Sequence, residues 1–171
     1  AGNNTIEISS EDSWNGGDPN AVISADAIGF AYKGPGDVDV IVDNEDPGFT
    51  PGSGWWVSSS TPGYYGSNYR ARATESTSDA AQWSVDLPVD GTYKVYAQWA
   101  AGSNRASSAP YIVTHDGGNS TVYADQTTNG GQWNELGTWD FTAGDTVRVK
   151  LSCWTSSGSY VIGDAVRFEL Q

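Results

Sequence analysis

The sequence predicts an all-β domain built as an antiparallel sandwich. From Trp83 to Leu170, apolar and polar residues alternate in short runs, the period of a strand with one buried face. The runs are parted by Asp90-Gly91, Asp116-Gly117-Gly118 and Ala143-Gly144-Asp145. Such Asp-Gly and Gly-Gly pairs between alternating runs are strong hairpin signals. No segment spaces its apolar residues at helical intervals, which excludes most nucleotide-binding architectures.

Taken in order, the chain opens with an internal echo. "AVISADAIGFAY" (Ala21 to Tyr32) resembles "SYVIGDAVRFEL" (Ser159 to Leu170), and each follows a short alternating run, "NTIEIS" and "DTVRVKLS". Residues 1–36 therefore read as two strands like the end of a preceding repeat, expected to pack on the main domain because a two-strand fragment alone is marginal. "KGPGDVD" is a short joint, and residues 37–171 form the sandwich. Within it, "DVIVDN" is a strand, "EDPGFTPGSG" a turn-rich loop, "WWVSSS" a short strand, "TPGYYGSNY" a loop and "RARATES" a strand. "WSVDLPVDGTYKVYAQW", "YIVTHDGGNSTVYAD" and "WNELGTWDFTAGDTVRVKLSC" read as three successive hairpins, and "SYVIGDAVRFEL" closes the chain. The Gly-, Ser- and Asn-rich loops belong at the surface, where sandwiches carry their binding groups.

The 171 residues suffice for one large sandwich. The formal net charge of −13, with eight scattered Lys and Arg, argues against a nucleic-acid partner. No apolar run reaches membrane-spanning length and no signal peptide is present, so secretion would require a leader upstream. The acidity suits a soluble extracellular protein, expected to be a monomer. Cys153 is the only cysteine and lies in an apolar strand, which excludes an intrachain disulfide and reads as packing rather than nucleophilic chemistry.

The ordered pieces "VIVDNEDPGF", "GWW", "GYYGSNYRA", "AQWSVDLPVDGTYKVYAQW", "GSNRASSAPYIVTHDGG", "GGQWNELGTWDFTAGDTVRV" and "YVIGDAVRF" together resemble the golvesin C-terminal-like domain. The resemblance spans about Asp37 to Leu170, and its specificity lies in many motifs occurring in one order. It implies a galactose-binding-like sandwich of jelly-roll type. It further implies a non-catalytic module, found beside xanthan lyases and other secreted polysaccharide-degrading enzymes. Its expected partners are a polysaccharide, an acidic one such as xanthan being favoured, and a parent catalytic domain. The alternatives are a structural or adhesion module that binds no sugar, and a small lyase or hydrolase domain.

The residues themselves offer three constellations. Trp55, Trp56, Tyr64 and Tyr65 stand in polar loops, where rigid aromatic faces can stack on sugar rings. Adjacent Trp55 and Trp56 point to opposite sides of an extended segment, so one can be buried and the other exposed. Arg70 and Arg105 offer the planar fork that fits a sugar carboxylate, although Arg105 equally fits a role pinning its own loop. Asp43, Asn44, Glu45 and Asp46 follow a strand as an oxygen-rich run, with Asp164 near the last strand. Asp43, Asn44, Asp46 and Asp164 are the candidate ligands of a structural Ca²⁺, though the Asx-Pro-Gly context also explains the run as a turn. No cofactor is required. His115, the only histidine, reads as structural, and no catalytic residue is assigned.

Overall fold

The computed structural model describes residues 38–171. The two strands expected within 1–36 lie outside the described residues. Twelve strands follow: β1 (Asp39–Val42), β2 (Phe49–Thr50), β3 (Trp56–Ser58), β4 (Tyr69–Ala73), β5 (Ala81–Leu87), β6 (Gly91–Gln98), β7 (Ala109–His115), β8 (Gly118–Ala124), β9 (Asn134–Phe141), β10 (Gly144–Leu151), β11 (Tyr160–Gly163) and β12 (Ala165–Leu170). No helix occurs among the described residues. Every strand pairing is antiparallel. The strands form a four-stranded sheet, β1-β12-β6-β9, a five-stranded sheet, β2-β5-β10-β7-β8, and a small sheet, β11-β4-β3.

Alternation fixes which side chains enter the core. Ala81, Trp83, Val85 and Leu87 of β5 and Tyr93, Val95 and Ala97 of β6 are all buried, while their neighbours face outward or the rim. Tyr93, Phe141 and Phe168 meet edge to face, and Phe49 packs edge-on against Trp83 with ring centres 5.1 Å apart.

Only one of the three expected hairpins is a hairpin. β7 and β8 pair fully around Asp116-Gly117. β5 and β6 instead lie in different sheets, and so do β9 and β10. The local signal is the same in all three, because a short Gly turn reverses the chain either way. The inward faces of β5 and β6 are both fully buried although the two strands belong to different sheets. The links Pro88–Asp90 and Thr142–Ala143 are just long enough to span the roughly 10 Å between packed sheets. Side chains tie these arches down. Asp90 Oδ1 accepts from Ala143 N at 2.7 Å and Asp116 Oδ1 from Thr142 N at 3.0 Å. Arg148, displaced at a bulge, donates to the carbonyls of Thr142 and Gly144.

The closing run "SYVIGDAVRFEL" also divides. It breaks at Asp164 into β11 of the small sheet and β12 of the four-stranded sheet. Buried Gln126 supports β11 in place of a strand neighbour. Its Oε1 accepts from Ile162 N and its Nε2 donates to Ile162 O, both at 2.8 Å.

A loop-end candidate binding site

Three loops meet at one end of the sandwich. The β3–β4 loop, carrying Gly63 to Asn68, approaches the β8–β9 loop so closely that a Cβ on Gly63 would stand 3.2 Å from Gly131 N. Gln98 Nε2 donates to Gly63 O, and the ring of Tyr65 lies 5.5 Å from that of Trp133. The β1–β2 turn closes on the same segment. Ser67 Oγ donates to Glu45, and the side-chain amides of Asn44 and Asn68 meet at 2.8 Å. Gly66 holds a left-handed φ of 62°, and a Cβ there would sit 2.7 Å from Asp43 Oδ2. Both the backbone and the carboxylate therefore require glycine at this position.

Two buried carboxyls anchor this end. Asp164 accepts from Tyr65 N with both oxygens, at 3.0 and 3.2 Å. Burial pushes its carboxyl up to about 8, the Tyr65 N–H working against the rise and the charge of Asp43 adding to it. Burial likewise raises Asp43 to about 6, opposed by the Asn44 N–H and reinforced by Asp46 and Glu45. Glu45 moves the other way, its carboxylate held below the usual range by the Ser67 and Asn68 hydrogen bonds, with a smaller contribution from Arg70.

Arg70 is the exceptional cation of the group. It lies on β4 between Val57 of β3 and Gly163 of β11. Its Nε is buried with no acceptor among the described residues, as is that of Arg148, although buried donors are nearly always satisfied. It has no ion pair among those residues, whereas Arg72 holds Glu75 and Asp79.

The six expected ligand contacts separate. Tyr65 and Arg70 stand in this loop assembly, and Trp133 joins them. Trp133 is not among the sequence candidates, because its adjacency to Tyr65 is tertiary. Tyr64 is half-buried, 6.0 Å from Tyr69. Trp56 is 43 % exposed and meets Tyr160 edge to face, a separate pair; it lies opposite Ala71, so it points to the other face of the small sheet from Arg70. Trp55 and Arg105 require correction. Trp55 is 7 % exposed, its Nε1 donating to Asp79 O at 2.9 Å, so it offers no face to a ligand. Arg105 is equally buried and donates to Ala100 O, Asn104 Oδ1, Thr61 Oγ1 and the Tyr69 hydroxyl. It pins its loop, the other role its sequence context allowed.

Of the four expected calcium ligands, Asp43, Asn44 and Asp164 are buried and Asp46 is exposed. Asp46 Oδ2 accepts from Asp43 N at 2.8 Å, capping the turn, and its side chain faces solvent. Among the described residues no group of three His, Cys, Asp or Glu side chains is placed to hold a metal ion. His115 is a strut, stacked on Trp139 at 5.6 Å and bonded to Ser120 Oγ and Gly117 N.

Two further aromatics are missed by the sequence reading. Tyr123 and Trp154 are 66 % and 63 % exposed. Outward alternation along edge strand β8 was the available signal for Tyr123. Trp154 gave none, because its run "KLSCW" reads as an apolar strand.

Comparison with known proteins accords with this architecture. The golvesin C-terminal domain family matches residues 40–170. A xanthan lyase of Bacillus sp. (strain GL1) is 34 % identical over 137 residues, 75 % of this chain and 14 % of that protein. The structure of a Paenibacillus xanthan lyase superposes with a TM-score of 0.73 at 37 % identity, covering 78 % of this chain and 13 % of the lyase. A carbohydrate-binding module, Xyl-CBM35, solved with a glucuronic acid containing disaccharide, shares the fold with a TM-score of 0.56 at 21 % identity, covering 75 % of this chain and 91 % of its own. The chain thus spans about one seventh of the length of the xanthan lyases it matches. It belongs to the golvesin C-terminal domain family.

Proposed function

We propose that this member of the golvesin C-terminal domain family is a non-catalytic carbohydrate-binding module. It takes an acidic polysaccharide such as xanthan and serves a secreted parent enzyme. The observation that carries the reading is Arg70. A guanidinium with no ion pair among the described residues, in a protein of net charge −13, offers a fork suited to a sugar carboxylate. Tyr65 and Trp133, paired in the same loop assembly, with Tyr64 next in the β3–β4 loop, supply faces for the C–H surfaces of sugar rings. Tethered to a catalytic domain, such a site raises the local concentration of polymer without chemistry of its own. The names of the relatives, a xanthan lyase and a module bound to a glucuronic acid disaccharide, support the same ligand class.

A non-catalytic role also fits the side chains. Burial disfavours the Tyr69 phenolate, but hydrogen bonds from Ser58, Ser60 and Thr61 and the Arg105 charge outweigh it and bring the phenol down to about 8. That phenol is buried and fully engaged, out of a substrate's reach.

Calcium is the second element of the proposal. Asp43 and Asp164 are buried carboxyls within each other's field, and neither has an ion pair among the described residues. A divalent cation held by these two, the Asn44 amide and nearby carbonyls would relieve their repulsion, with Asp46 outside the set. Native affinity electrophoresis against xanthan, polygalacturonate and a neutral galactomannan tests the binding reading. Retardation in the two acidic gels is expected, and free migration in all three would refute it.

A further inference from the structure

The outer face of the five-stranded sheet carries the two most exposed aromatic rings among the described residues, Trp154 and Tyr123. Strand register explains their placement. Lys150, Ile112 and Thr121 form one cross-strand row over β10, β7 and β8. Pro110 and Tyr123 form the next row, with Ser152 bonded to Pro110 O. Alternation continues past the end of β10 and carries Lys150, Ser152 and Trp154 along one line. The two aromatic columns therefore stand two strand spacings apart, about 10 Å. That distance suits two pyranose rings of an extended chain separated by one intervening sugar, since successive rings lie about half as far apart.

Two open troughs flank this pair, of about 540 and 470 Å³, and both rings line each of them. The smaller trough has Lys150 on its floor among Ile112, Thr121 and Ser152, and no carboxylate lines it. No ion pair engages Lys150 among the described residues. On a surface with 21 Asp and Glu against eight Lys and Arg, a trough with one unpaired cation and no acid is locally inverted in charge. The larger trough holds one carboxylate, Glu75, already bound to Arg72.

We propose that this sheet face is a second glycan site, separate from the loop end, in which Trp154 and Tyr123 stack on alternate sugars of an anionic polysaccharide and Lys150 pairs with its carboxylate. The proposal rests on the carbohydrate-binding reading above. Hydroxyls of Thr121 and Ser152 add hydrogen bonds that an apolar peptide would leave unused. A module gripping one polymer at two places gains avidity even where each site is weak.

The test is affinity electrophoresis of the full chain in xanthan gels, with melting curves as a fold control. Trp154→Ala with Tyr123→Ala should weaken retention roughly tenfold. Lys150→Glu should weaken it in xanthan and in polygalacturonate, and the loss should shrink as salt rises. Tyr65→Ala with Arg70→Ala should leave residual retention that the face variants then abolish. If the loop variants alone abolish retention and the face variants migrate as the parent does, the second site is refuted and the loop site stands. If the parent is not retained, both readings fall. Trp154 shielded from acrylamide before any glycan is added would assign the face to residues 1–37. A concentration-dependent dimer dispersed by Trp154→Ala would assign it to a second copy. Either result overturns the proposal.

Discussion

Tyr65 donates its backbone N–H to both carboxyl oxygens of Asp164, 99 residues further along the chain. This one contact fastens the β3–β4 loop to the point where the chain leaves the small sheet for the four-stranded one. It also joins a candidate binding residue to a carboxyl buried beyond its comfortable range.

That burial has a pH signature. The folded protein raises Asp164 to about 8 and Asp43 to about 6, above their values in an unfolded chain near 4. Groups raised on folding bind protons more tightly in the native state, so their contribution to stability is fully present below about pH 4. It is lost as pH rises through about 6 and then about 8. The melting temperature should therefore fall between pH 5 and pH 9, and Asp164→Asn should flatten the upper half of that decline. A parent curve that rises across this window would contradict the burial assignment.

Neighbouring tryptophans should behave oppositely. Trp55 is core and hydrogen-bonded to Asp79 O, so Trp55→Ala should cost about 3–5 kcal/mol in urea unfolding. Trp56→Ala should cost about 1 kcal/mol or less, since its ring is 43 % exposed and packs edge-on against Tyr160. Equal losses would mean that the strand presents the opposite face.

Arg105→Ala should destabilise by about 2–4 kcal/mol, because the Tyr69 hydroxyl, Thr61 and the Ala100 carbonyl lose a shared buried donor. Arg105→Lys should recover only part, since one ammonium cannot replace a fork bonded on several sides. Stability unchanged in Arg105→Ala would return this residue to the list of ligand contacts.

The sandwich was legible because alternation is local. Ala81, Trp83, Val85 and Leu87 declare their buried face without reference to any partner. Sheet membership was not legible, because Asp90-Gly91 and Asp116-Gly117 look alike although one arch crosses the sandwich and the other closes a hairpin. The same limit governed the site. That Trp55 and Trp56 divide between core and surface followed from strand geometry, but which one is buried depends on Asp79. The Tyr65–Trp133 pair and the orphaned Arg70 Nε depend on loops 60 to 70 residues apart in sequence, beyond any local pattern.

Calcium should raise the melting temperature against a chelator control, and more at pH 8 than at pH 5, because only the deprotonated Asp43 and Asp164 are ligands. Asp46→Asn should retain the shift and Asp164→Asn should lose it. No shift at either pH, with no metal found by elemental analysis, removes calcium from the account.

The central claim rests on Arg70, and calorimetric titration of xanthan oligosaccharides into the parent, Arg70→Ala and Arg70→Lys tests it most directly. The account predicts that Arg70→Ala, melting as the parent does, binds about ten- to a hundredfold more weakly. Arg70→Lys should fall between them, and the difference should shrink as salt rises. An Arg70→Ala protein that is folded and binds with the parent's affinity and salt dependence would contradict it.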